Sequence, residues 1–350
     1  MTILMDILTP KQARFFSKLG KRLSSKGVEI SYTARHYYES DRMIKLLRMD
    51  ATKLGRWGDT SYKKALFSAQ RMEAYVRLLA KVRPDLVFSF GSPEAARASF
   101  GLSIPHMMAN DSPHTEAVSR LTLPLSQKLF APWVIPKAMW VRYGIAERDI
   151  VQYKGLDQAA WMKELDVEEF GPRPEDRLVV IYRPEEYRAA YVGADEPSTA
   201  GIVRQTLHIL SSMHKRETTT IVLGRYGHPE MYRRLLGSRV KIPRSPVDGM
   251  ELLRRASVFF GYGGTMTGEA ALSGVLTMSL SKRPNLVEEF LVKEGLVFRP
   301  SSPKAAAELI SSFLKDDRRM KQQRRRASKL LARMEDPTET ICSKLIAWSR

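Results

Sequence analysis

The chain has 350 residues, 43% of them hydrophobic, so it is long enough for about two globular domains and too apolar for a disordered segment. Its single cysteine, Cys342, excludes an internal disulfide and any metal site built from several thiolates. Lys and Arg number 57 against 38 Asp and Glu, and the formal charge of +19 favours an anionic partner: a phosphate-bearing substrate, an anionic membrane face or nucleic acid.

The sequence also bears on where the protein works. No stretch approaches the roughly 18 apolar residues that a membrane-spanning helix needs, and the first eight residues lack the basic start and cleavage site of a secretory signal. We therefore expect a cytoplasmic protein.

The first half alternates short β-rich runs with longer amphipathic runs, which is the pattern of parallel strands joined by crossover helices. Strands are predicted at 2–8, 28–33, 85–91, 104–109 and 128–131. Helices are predicted at 10–26, 59–82, 93–100 and 114–126. Thr9 before Pro10, and Ser92 before Pro93, have the residue types that cap and start a helix.

An acidic segment starts at Asp157 and ends in Gly171-Pro172-Arg173-Pro174, which is typical of a linker. The second half then repeats the alternation, with strands predicted at 178–182, 219–224, 239–242, 257–261 and 275–280. Helices are predicted at 198–215, 229–236, 247–256 and 266–273. We therefore predict an α/β protein with two Rossmann-like, doubly wound domains, at 1–160 and 175–335, that face each other across a cleft.

The last fifty residues are predicted to be helical and are unusually basic. Residues 315–333 contain nine basic and two acidic side chains. A solvated helix face explains this composition in the simplest way. Contact with anionic lipid headgroups at the inner face of the membrane is the second interpretation, and nucleic acid is the third, because no aromatic stacking platform accompanies the charge.

A glycine-rich turn between a predicted strand and a predicted helix is the most informative segment for function. It contains Gly261, Gly263 and Gly264, followed by Thr265, Met266 and then Glu269. Bare backbone at the start of a helix attracts phosphate, because the free N–H groups and the helix dipole both favour an anion there. The alternative is that the glycines only allow tight packing of the strand on the helix. The spacing matches neither the dinucleotide G-x-G-x-x-G motif nor a P-loop, which disfavours both classes.

Several short pieces carry a resemblance to a known family. They are Asp6–Pro10 with Phe15-Phe16, Asn110–Glu116, Arg120–Pro124, Tyr153–Gly155, Gly261–Met266 and Glu269–Ala271. In this order the pieces resemble the archaeal and bacterial family called domain of unknown function 354. Its members are described as predicted glycosyltransferases of the GT-B architecture that are similar to UDP-N-acetylglucosamine 2-epimerases.

The resemblance implies specific roles in binding a nucleotide. It implies that Gly263, Gly264, Thr265 and Glu269 hold the phosphates and the ribose. The segment Tyr182–Glu186 is similar to a His-Arg-Arg-Glu-Asn signature, so Arg183 is expected to contact phosphate, and Tyr182 stands in place of the histidine. The resemblance also implies that the C-terminal helices, including 336–350, pack back on the N-terminal domain.

Candidate acid–base groups follow a predicted strand of the first half: Asp111, His114 and Glu116. Carboxylates at the carboxyl end of a parallel strand face the ligand site of open α/β sheets, so Asp111 or Glu116 is a candidate general base. The alternative is that Asp111 caps the following helix and Glu116 serves its first turn.

Candidate acceptor contacts lie at the same predicted sheet edge. They are Thr9, Pro10, Lys11, Gln12, Gly91 and Ser92. Helix capping explains Thr9, Pro10 and Ser92 equally well, while Lys11 could reach a leaving phosphate. No histidine pair has the spacing of metal ligands, so no metal and no cofactor are predicted.

The sequence therefore favours a metal-independent glycosyltransferase with a nucleotide sugar, expected to be a UDP-sugar, as donor and an unknown, membrane-associated acceptor. The nucleotide would bind the C-terminal domain and the acceptor the N-terminal domain. One alternative is a UDP-N-acetylhexosamine 2-epimerase, in which the same carboxylates handle protons. Another is a non-catalytic protein that binds nucleotide sugars or nucleic acid.

Overall fold

The computed structural model of the chain describes residues 1–171, 177–185, 198–214, 217–224, 229–237, 240–243, 245, 247–282 and 285–348. The chain divides into two compact units. Unit 1 is Met1–Trp161 with Met334–Arg350, and unit 2 is Met162–Arg333. Residues 172–174 of the predicted linker and Glu186 lie outside the described residues.

Unit 1 is built on a seven-stranded sheet with every neighbouring pair of strands parallel, in the order β3-β2-β1-β4-β5-β6-β7. The strands are β1 (Thr2–Ile7), β2 (Glu29–His36), β3 (Thr52–Arg56), β4 (Leu86–Ser89), β5 (His106–Ala109), β6 (Lys128–Pro132) and β7 (Ile150–Tyr153). The helices between them are α1 (Pro10–Ser24), α2 (Tyr38–Leu46), α3 (Ser61–Val82), α4 (Pro93–Gly101), α5 (Glu116–Thr122) and α6 (Ala138–Val141), and α7 (Ala159–Met162) follows β7.

Unit 2 has a six-stranded parallel sheet in the order β10-β9-β8-β11-β12-β13. The strands are β8 (Leu178–Tyr182), β9 (Thr218–Val222), β10 (Val240–Lys241), β11 (Val258–Gly261), β12 (Leu276–Ser279) and β13 (Val297–Phe298). The helices are α8 (Ala200–Met213), α9 (Pro229–Leu236), α10 (Gly249–Leu253), α11 (Thr265–Leu272), α12 (Leu286–Lys293), α13 (Pro303–Lys315) and α14 (Asp317–Arg333).

The predicted fold class is confirmed, because both units are Rossmann-like parallel α/β domains. The buried central strands explain why the strand pattern could be predicted from the sequence. Every residue of β4, β5, β11 and β12 is buried, as expected for strands covered by helices on both faces of the sheet. Such strands appear in the sequence as short, continuous runs of mostly apolar residues bounded by turns.

The elements that the sequence did not predict are β3, β7, β13, α2, α6, α7 and α12. β3 lies at the edge of its sheet, and its sequence Thr-Lys-Leu-Gly-Arg has neither an apolar run nor clear alternation. β13 has only two residues. Short edge strands of this kind are held by pairing with a neighbour, so they leave little periodicity in the sequence.

The C-terminal helix α15 (Pro337–Trp348) belongs to unit 1 and packs on α1. Arg22 Nη2 of α1 lies 2.7 Å from Asp336 Oδ2, and Arg22 Nε donates to Thr338 Oγ1 at 3.3 Å. Ile341 and Leu345 of α15 are fully buried. The prediction that C-terminal helices pack back on the N-terminal domain is therefore confirmed for α15, whereas α14 packs on α11 and α13 within unit 2.

Among the described residues, no helix is long and apolar enough to cross a membrane. The same part of the chain contains no group of three or more His, Cys, Asp or Glu side chains arranged to hold a metal ion.

Candidate active and nucleotide-binding sites

In unit 1, three charged side chains from distant parts of the chain meet at the carboxyl ends of the strands. Lys11 lies in the first turn of α1, directly after β1, and Asp111 lies in the loop after β5. Asp157 follows β7. The carboxyl end of an open parallel sheet is where α/β proteins bind ligands, so this cluster occupies the expected position for a site.

The Lys11 ammonium is held between the two carboxylates. Its Nζ lies 2.5 Å from Asp111 Oδ2 and 2.6 Å from Asp157 Oδ2. The same Nζ lies 4.4 Å from the centroid of the Phe90 ring, and Tyr153 donates a hydrogen bond from its hydroxyl to Asp157 Oδ1. The exposed fraction of the side chain is 13% for Lys11, 20% for Asp111 and 0% for Asp157, so only Lys11 and Asp111 reach the surface.

The two carboxyl groups differ in acidity. Burial raises the pKa of Asp157 to about 6, and the negative charge of Asp111 adds to this rise while Lys11 opposes it. Burial would also raise the pKa of Asp111, but Lys11 and a hydrogen bond from Ser112 outweigh burial and lower that pKa. Burial opposes the charge of Lys11 as well, yet the two carboxylates raise its pKa. At neutral pH the cluster therefore carries an ionised Asp111 next to a charged lysine.

Most of the other candidate residues of the first half have structural roles. The Thr9 hydroxyl accepts a hydrogen bond from the Gln12 amide at 3.4 Å, with Pro10 at the start of α1, so the capping prediction is confirmed. The Gln12 side chain accepts from the Leu8 amide at 2.6 Å and donates to the Phe90 carbonyl at 3.0 Å. Gln12 thereby joins the ends of β1 and β4 and holds the neighbouring Lys11 in place.

Gly91 and Ser92 form the turn from β4 into α4. The Ser92 hydroxyl caps α4 by accepting from the Ala95 amide at 3.4 Å, and its side chain is fully buried. A Cβ on Gly91, whose φ is +71°, would lie 3.0 Å from Val118 Cγ1. Capping and close packing therefore account for both residues.

The three candidate acid–base residues have different environments. His114 and Glu116 are exposed, and Glu116 Oε1 pairs with Arg120 at 2.7 Å on the surface of α5. The alternative that Asp111 caps α5 is wrong, because the N-cap of α5 is Thr115 and makes no side-chain capping bond. Asp111 instead accepts from the Ser112 hydroxyl at 2.9 Å and pairs with Lys11.

In unit 2, the glycine-rich turn joins β11 to α11, as the sequence predicts. Packing explains two of its glycines. A Cβ on Gly261 would lie 2.5 Å from Thr267 Oγ1, and a Cβ on Gly263 would lie 2.8 Å from Glu288 Oε2. Gly263 also has a φ of +75°, a region that side chains with a Cβ rarely adopt.

Packing does not explain Gly264. Its φ is +81°, and a Cβ on it would meet no atom of the described residues within 4 Å, so this part of the chain leaves the turn open at Gly264. Gly264 is also the N-cap of α11, and within the described ranges no side-chain hydrogen bond caps that helix start. Backbone at an uncapped helix start in open space is the arrangement that attracts an anion.

The residues that follow Gly264 form the first turns of α11. Thr265 begins α11, and the side chain of Met266 packs near Gly249, where an added Cβ would lie 3.1 Å from Met266 Cε. Glu269 lies further along the helix and is 7% exposed. The carboxylate proposed to bind ribose is therefore a largely buried group beside the turn.

Arg183 lies next to the turn at the end of β8. Its amide donates to the Phe260 carbonyl at 2.8 Å, and its Nη1 donates to the Leu223 carbonyl at 2.7 Å. Tyr182, which stands in place of the family histidine, is fully buried, and its hydroxyl pairs with Thr199 Oγ1 at 2.6 Å. Tyr182 is therefore a core residue, whereas the Arg183 backbone lies beside β11 and its guanidinium is bound at the end of β9.

Asp157 and Tyr153 were not predicted from the sequence as members of a site. Asp157 was expected at the start of an acidic linker, because the following residues lose their periodicity. A pattern that could have identified it is a single carboxylate inside an otherwise apolar stretch, Leu156 to Met162, directly after a strand. A buried charge in such a stretch needs a partner.

The comparisons with known proteins agree with this architecture. The uncharacterized protein MJ0665 of Methanocaldococcus jannaschii is 23% identical, and the match covers 99% of each chain. The UDP-GlcNAc 2-epimerase of the same organism, solved with UDP-GlcNAc and UDP, has a TM-score of 0.71 at 16% identity, over 99% of this chain and 100% of that one. The glycotransferase of kitacinnamycin has a TM-score of 0.63 at 12% identity, over 99% of this chain and 98% of that one. These structural neighbours are GT-B enzymes, and they establish the fold that the chain shares with them.

A family model described as "Protein of unknown function (DUF354)" matches residues 1–348. The match therefore includes residues of both units, with the Lys11–Asp111–Asp157 cluster and the glycine turn at 261–265.

Proposed function

The chain belongs to the DUF354 family, and from this membership and its two candidate sites we propose that it is a glycosyltransferase that uses a nucleotide sugar, expected to be a UDP-sugar. Unit 2 would hold the nucleotide, and unit 1 would hold the acceptor. Structural neighbours that bind UDP and UDP-GlcNAc support a nucleotide sugar as the partner.

The observation that carries this proposal is the open backbone at Gly264. Contacts with Thr267 and Glu288 account for Gly261 and Gly263, but no neighbour in the part of the chain that the structure describes accounts for Gly264. An approaching diphosphate would meet N–H groups at the start of α11 and the positive end of its dipole. Arg183 would add a full positive charge at the adjacent strand end.

The chemistry that we propose is a displacement at the sugar's anomeric carbon. The acceptor oxygen forms a bond to that carbon, the bond from the carbon to the diphosphate oxygen breaks, and its electron pair leaves with the nucleotide. Asp111 takes the proton of the acceptor hydroxyl as general base. The backbone of residues 263–265, the dipole of α11 and Arg183 stabilise the charge that develops on the diphosphate.

The nucleotide site is tested by Gly264→Ala, with Gly237→Ala as its matched control. Both glycines have positive φ, +81° and +100°, and for neither would an added Cβ lie within 4 Å of another atom of the described residues. Both variants should lose similar stability, about 1–3 kcal/mol, because both strain the backbone. Only Gly264→Ala should weaken UDP binding, by at least about ten-fold, or about 1.4 kcal/mol, in isothermal titration calorimetry.

The proposal predicts a clear thermal shift for the wild type. UDP at about 100 times its Kd should stabilise the protein by about 2.7 kcal/mol. Unchanged UDP affinity in Gly264→Ala would remove the turn from the nucleotide site.

A UDP-N-acetylhexosamine 2-epimerase is the second candidate, favoured by the fold shared with UDP-GlcNAc 2-epimerases and by two carboxyl groups that share one lysine. An assay without acceptor separates the two. Conversion of UDP-GlcNAc to its 2-epimer by the protein alone would overturn the transferase proposal, whereas sugar transfer that depends on an added acceptor would support it.

We also propose that the acceptor is associated with an anionic membrane face on which α14 docks. Seven basic side chains of α14 are exposed: Arg318, Arg319, Lys321, Arg325, Arg326, Lys329 and Arg333. Its buried seam of Gln323, Ala327, Leu330 and Leu331 fixes the helix on unit 2, so the basic side faces solvent. Basic residues near anionic lipid each contribute about 1 kcal/mol.

A further inference from the structure

We infer that Asp157 is a positioning residue for Asp111: it holds the Lys11 ammonium from the opposite side and remains its partner when Asp111 takes up a proton. The inference rests on the proposed function, in which Asp111 is the general base. It assigns a role to a side chain that cannot touch a substrate, because Asp157 has no exposed surface.

The geometry of the cluster carries this assignment. Lys11 Nζ lies 2.5 Å from one oxygen of Asp111 and 2.6 Å from one oxygen of Asp157. A single ammonium thus bridges two carboxylates. The other oxygen of Asp157 accepts from the Tyr153 hydroxyl. Tyr153 is the last residue of β7 and is fully buried, so it fixes the Asp157 carboxylate on the rigid end of a strand.

The need for a second carboxylate follows from the proton transfer itself. When the proton of the acceptor hydroxyl moves to Asp111, that carboxylate loses its charge. Lys11 would then be a largely buried ammonium without a counter-ion, which is strongly unfavourable. An ionised Asp157 keeps the ammonium paired, so the protonated form of Asp111 is less costly and Asp111 becomes a better base.

The same cluster predicts coupled titration. The groups that face Asp157 are Lys11 from α1, Asp111 from the loop after β5 and Tyr153 from β7. Burial and the charge of Asp111 raise the pKa of Asp157 to about 6, whereas Lys11 and the Tyr153 hydroxyl oppose the rise. Below about pH 6, Asp157 is protonated and no longer offers Lys11 a second negative charge.

The first measurement needs no substrate. Aspartate carboxyl carbons are labelled with ¹³C and titrated by NMR in the wild type, Asp157→Asn and Asp111→Asn. Asp149→Asn is the control, since Asp149 pairs with Lys128 at 3.6 Å and with Arg148 at 3.9 Å, away from the cluster. The wild type and the control should show one carboxyl that titrates near pH 6, and Asp157→Asn should lack it. In Asp111→Asn this titration should move to lower pH, because the charge that raised it is gone and Lys11 pairs with Asp157 alone.

Tyr153→Phe provides a second variant that keeps the Asp157 carboxylate in case Asp157→Asn does not fold. Loss of the hydroxyl donor should move the Asp157 titration to higher pH. No carboxyl titrating near neutral pH, or a titration that Asp111→Asn leaves in place, would overturn the inference.

The second measurement uses turnover with a nucleotide sugar. Asp157→Asn should lower kcat at least about ten-fold while KM for the donor stays unchanged, and the acid limb of the kcat profile near pH 6 should disappear. A purely structural role would instead lower the melting temperature and leave that limb in place. If the protein transfers sugar but Asp157 and Asp111 titrate independently, only this inference is overturned. If the two carboxyls titrate together but the protein transfers no sugar, the proposed function is overturned, and the role of Asp157 with it.

Discussion

At the scale of single residues, environment separates carboxylates that look alike in the sequence. Glu116 and Asp111 lie five residues apart in the loop and helix after β5. Glu116 is 61% exposed and pairs with Arg120 one turn along α5, an arrangement worth a few tenths of a kcal/mol. Asp111 is 20% exposed and shares the Lys11 ammonium with Asp157. Only Asp111 combines partial burial, a charged partner and a route to the surface.

This contrast predicts different effects of two conservative substitutions. Asp111→Asn should lower kcat by about 10²–10⁴-fold, because the base is lost. Glu116→Gln should leave kcat within about two-fold, since it removes only a surface pair. UDP affinity should stay the same in both variants, because the nucleotide is expected in unit 2. Steady-state kinetics measures kcat, and calorimetry measures UDP affinity. A larger loss of kcat in Glu116→Gln than in Asp111→Asn would make Glu116, and not Asp111, the candidate general base.

At the scale of elements, helix starts show where the chain satisfies its own backbone and where it does not. Thr9, Ser92, Asn285 and Ser302 each cap a helix with a side-chain oxygen. Such a cap contributes about 1 kcal/mol and occupies N–H groups that an anion would otherwise bind. Among the described residues, α11 starts at Gly264 without a side-chain cap, so we expect its first turn to accept an anion.

Helix α14, like the start of α11, has a surface that suits an anionic partner. Lys321, Arg325 and Lys329 lie at intervals of four residues and therefore on one side of the helix. Within the described residues, none of the three forms an ion pair with a carboxylate, whereas Arg333 pairs with Glu294 at 3.7 Å. Acidic side chains of the described residues therefore do not neutralise these three basic residues. On α3, in contrast, Arg77 pairs with Glu73 at 2.8 Å.

A charge-reversal variant tests the membrane proposal. Reversing Lys321, Arg325 and Lys329 to Glu should weaken binding to vesicles of phosphatidylcholine and phosphatidylglycerol by about 100-fold or more at low salt. Reversing the exposed Arg42, Lys45 and Lys81 of unit 1 makes the same change in net charge and should have little effect. Co-sedimentation measures both. Equal losses in the two variants, or binding of RNA in place of these vesicles, would contradict docking by α14.

At the scale of the whole molecule, the chain forms the same kind of domain twice, and each domain has a different candidate site. Unit 1 has an ionised carboxylate beside a lysine, which suits proton transfer from an acceptor. Unit 2 has a helix start at Gly264 that is open among the described residues, which suits a diphosphate. This division predicts that donor binding stabilises one unit and not the other.

Amide hydrogen-exchange rates, measured with and without UDP, show which unit the donor stabilises. UDP at about 100 times its Kd should slow exchange in unit 2, above all around residues 261–272, by a local stabilisation of up to about 2.7 kcal/mol. Peptides from residues 1–150 should exchange as before. Protection confined to unit 1, around Lys11 and Asp111, would reverse the assignment of the two sites.

The amino-acid sequence by itself determined the fold class, the ends of most buried strands and the position of the glycine turn. Each of these follows from local order along the chain: apolar runs, amphipathic periodicity and glycines between a strand and a helix. The family resemblance rested on the same short pieces, and Thr9 and Ser92 were readable as caps because a cap acts within four residues.

Tertiary structure alone decided which residues form a site. Lys11 and Asp111 are 100 residues apart, and strand order brings their side chains to one sheet edge together with Asp157. Likewise, only the packing of Thr267 and Glu288 distinguishes Gly261 and Gly263 from the open Gly264. The physical reason is the same in both cases: burial and charge pairing depend on neighbours that are distant along the chain, and residue order does not record them.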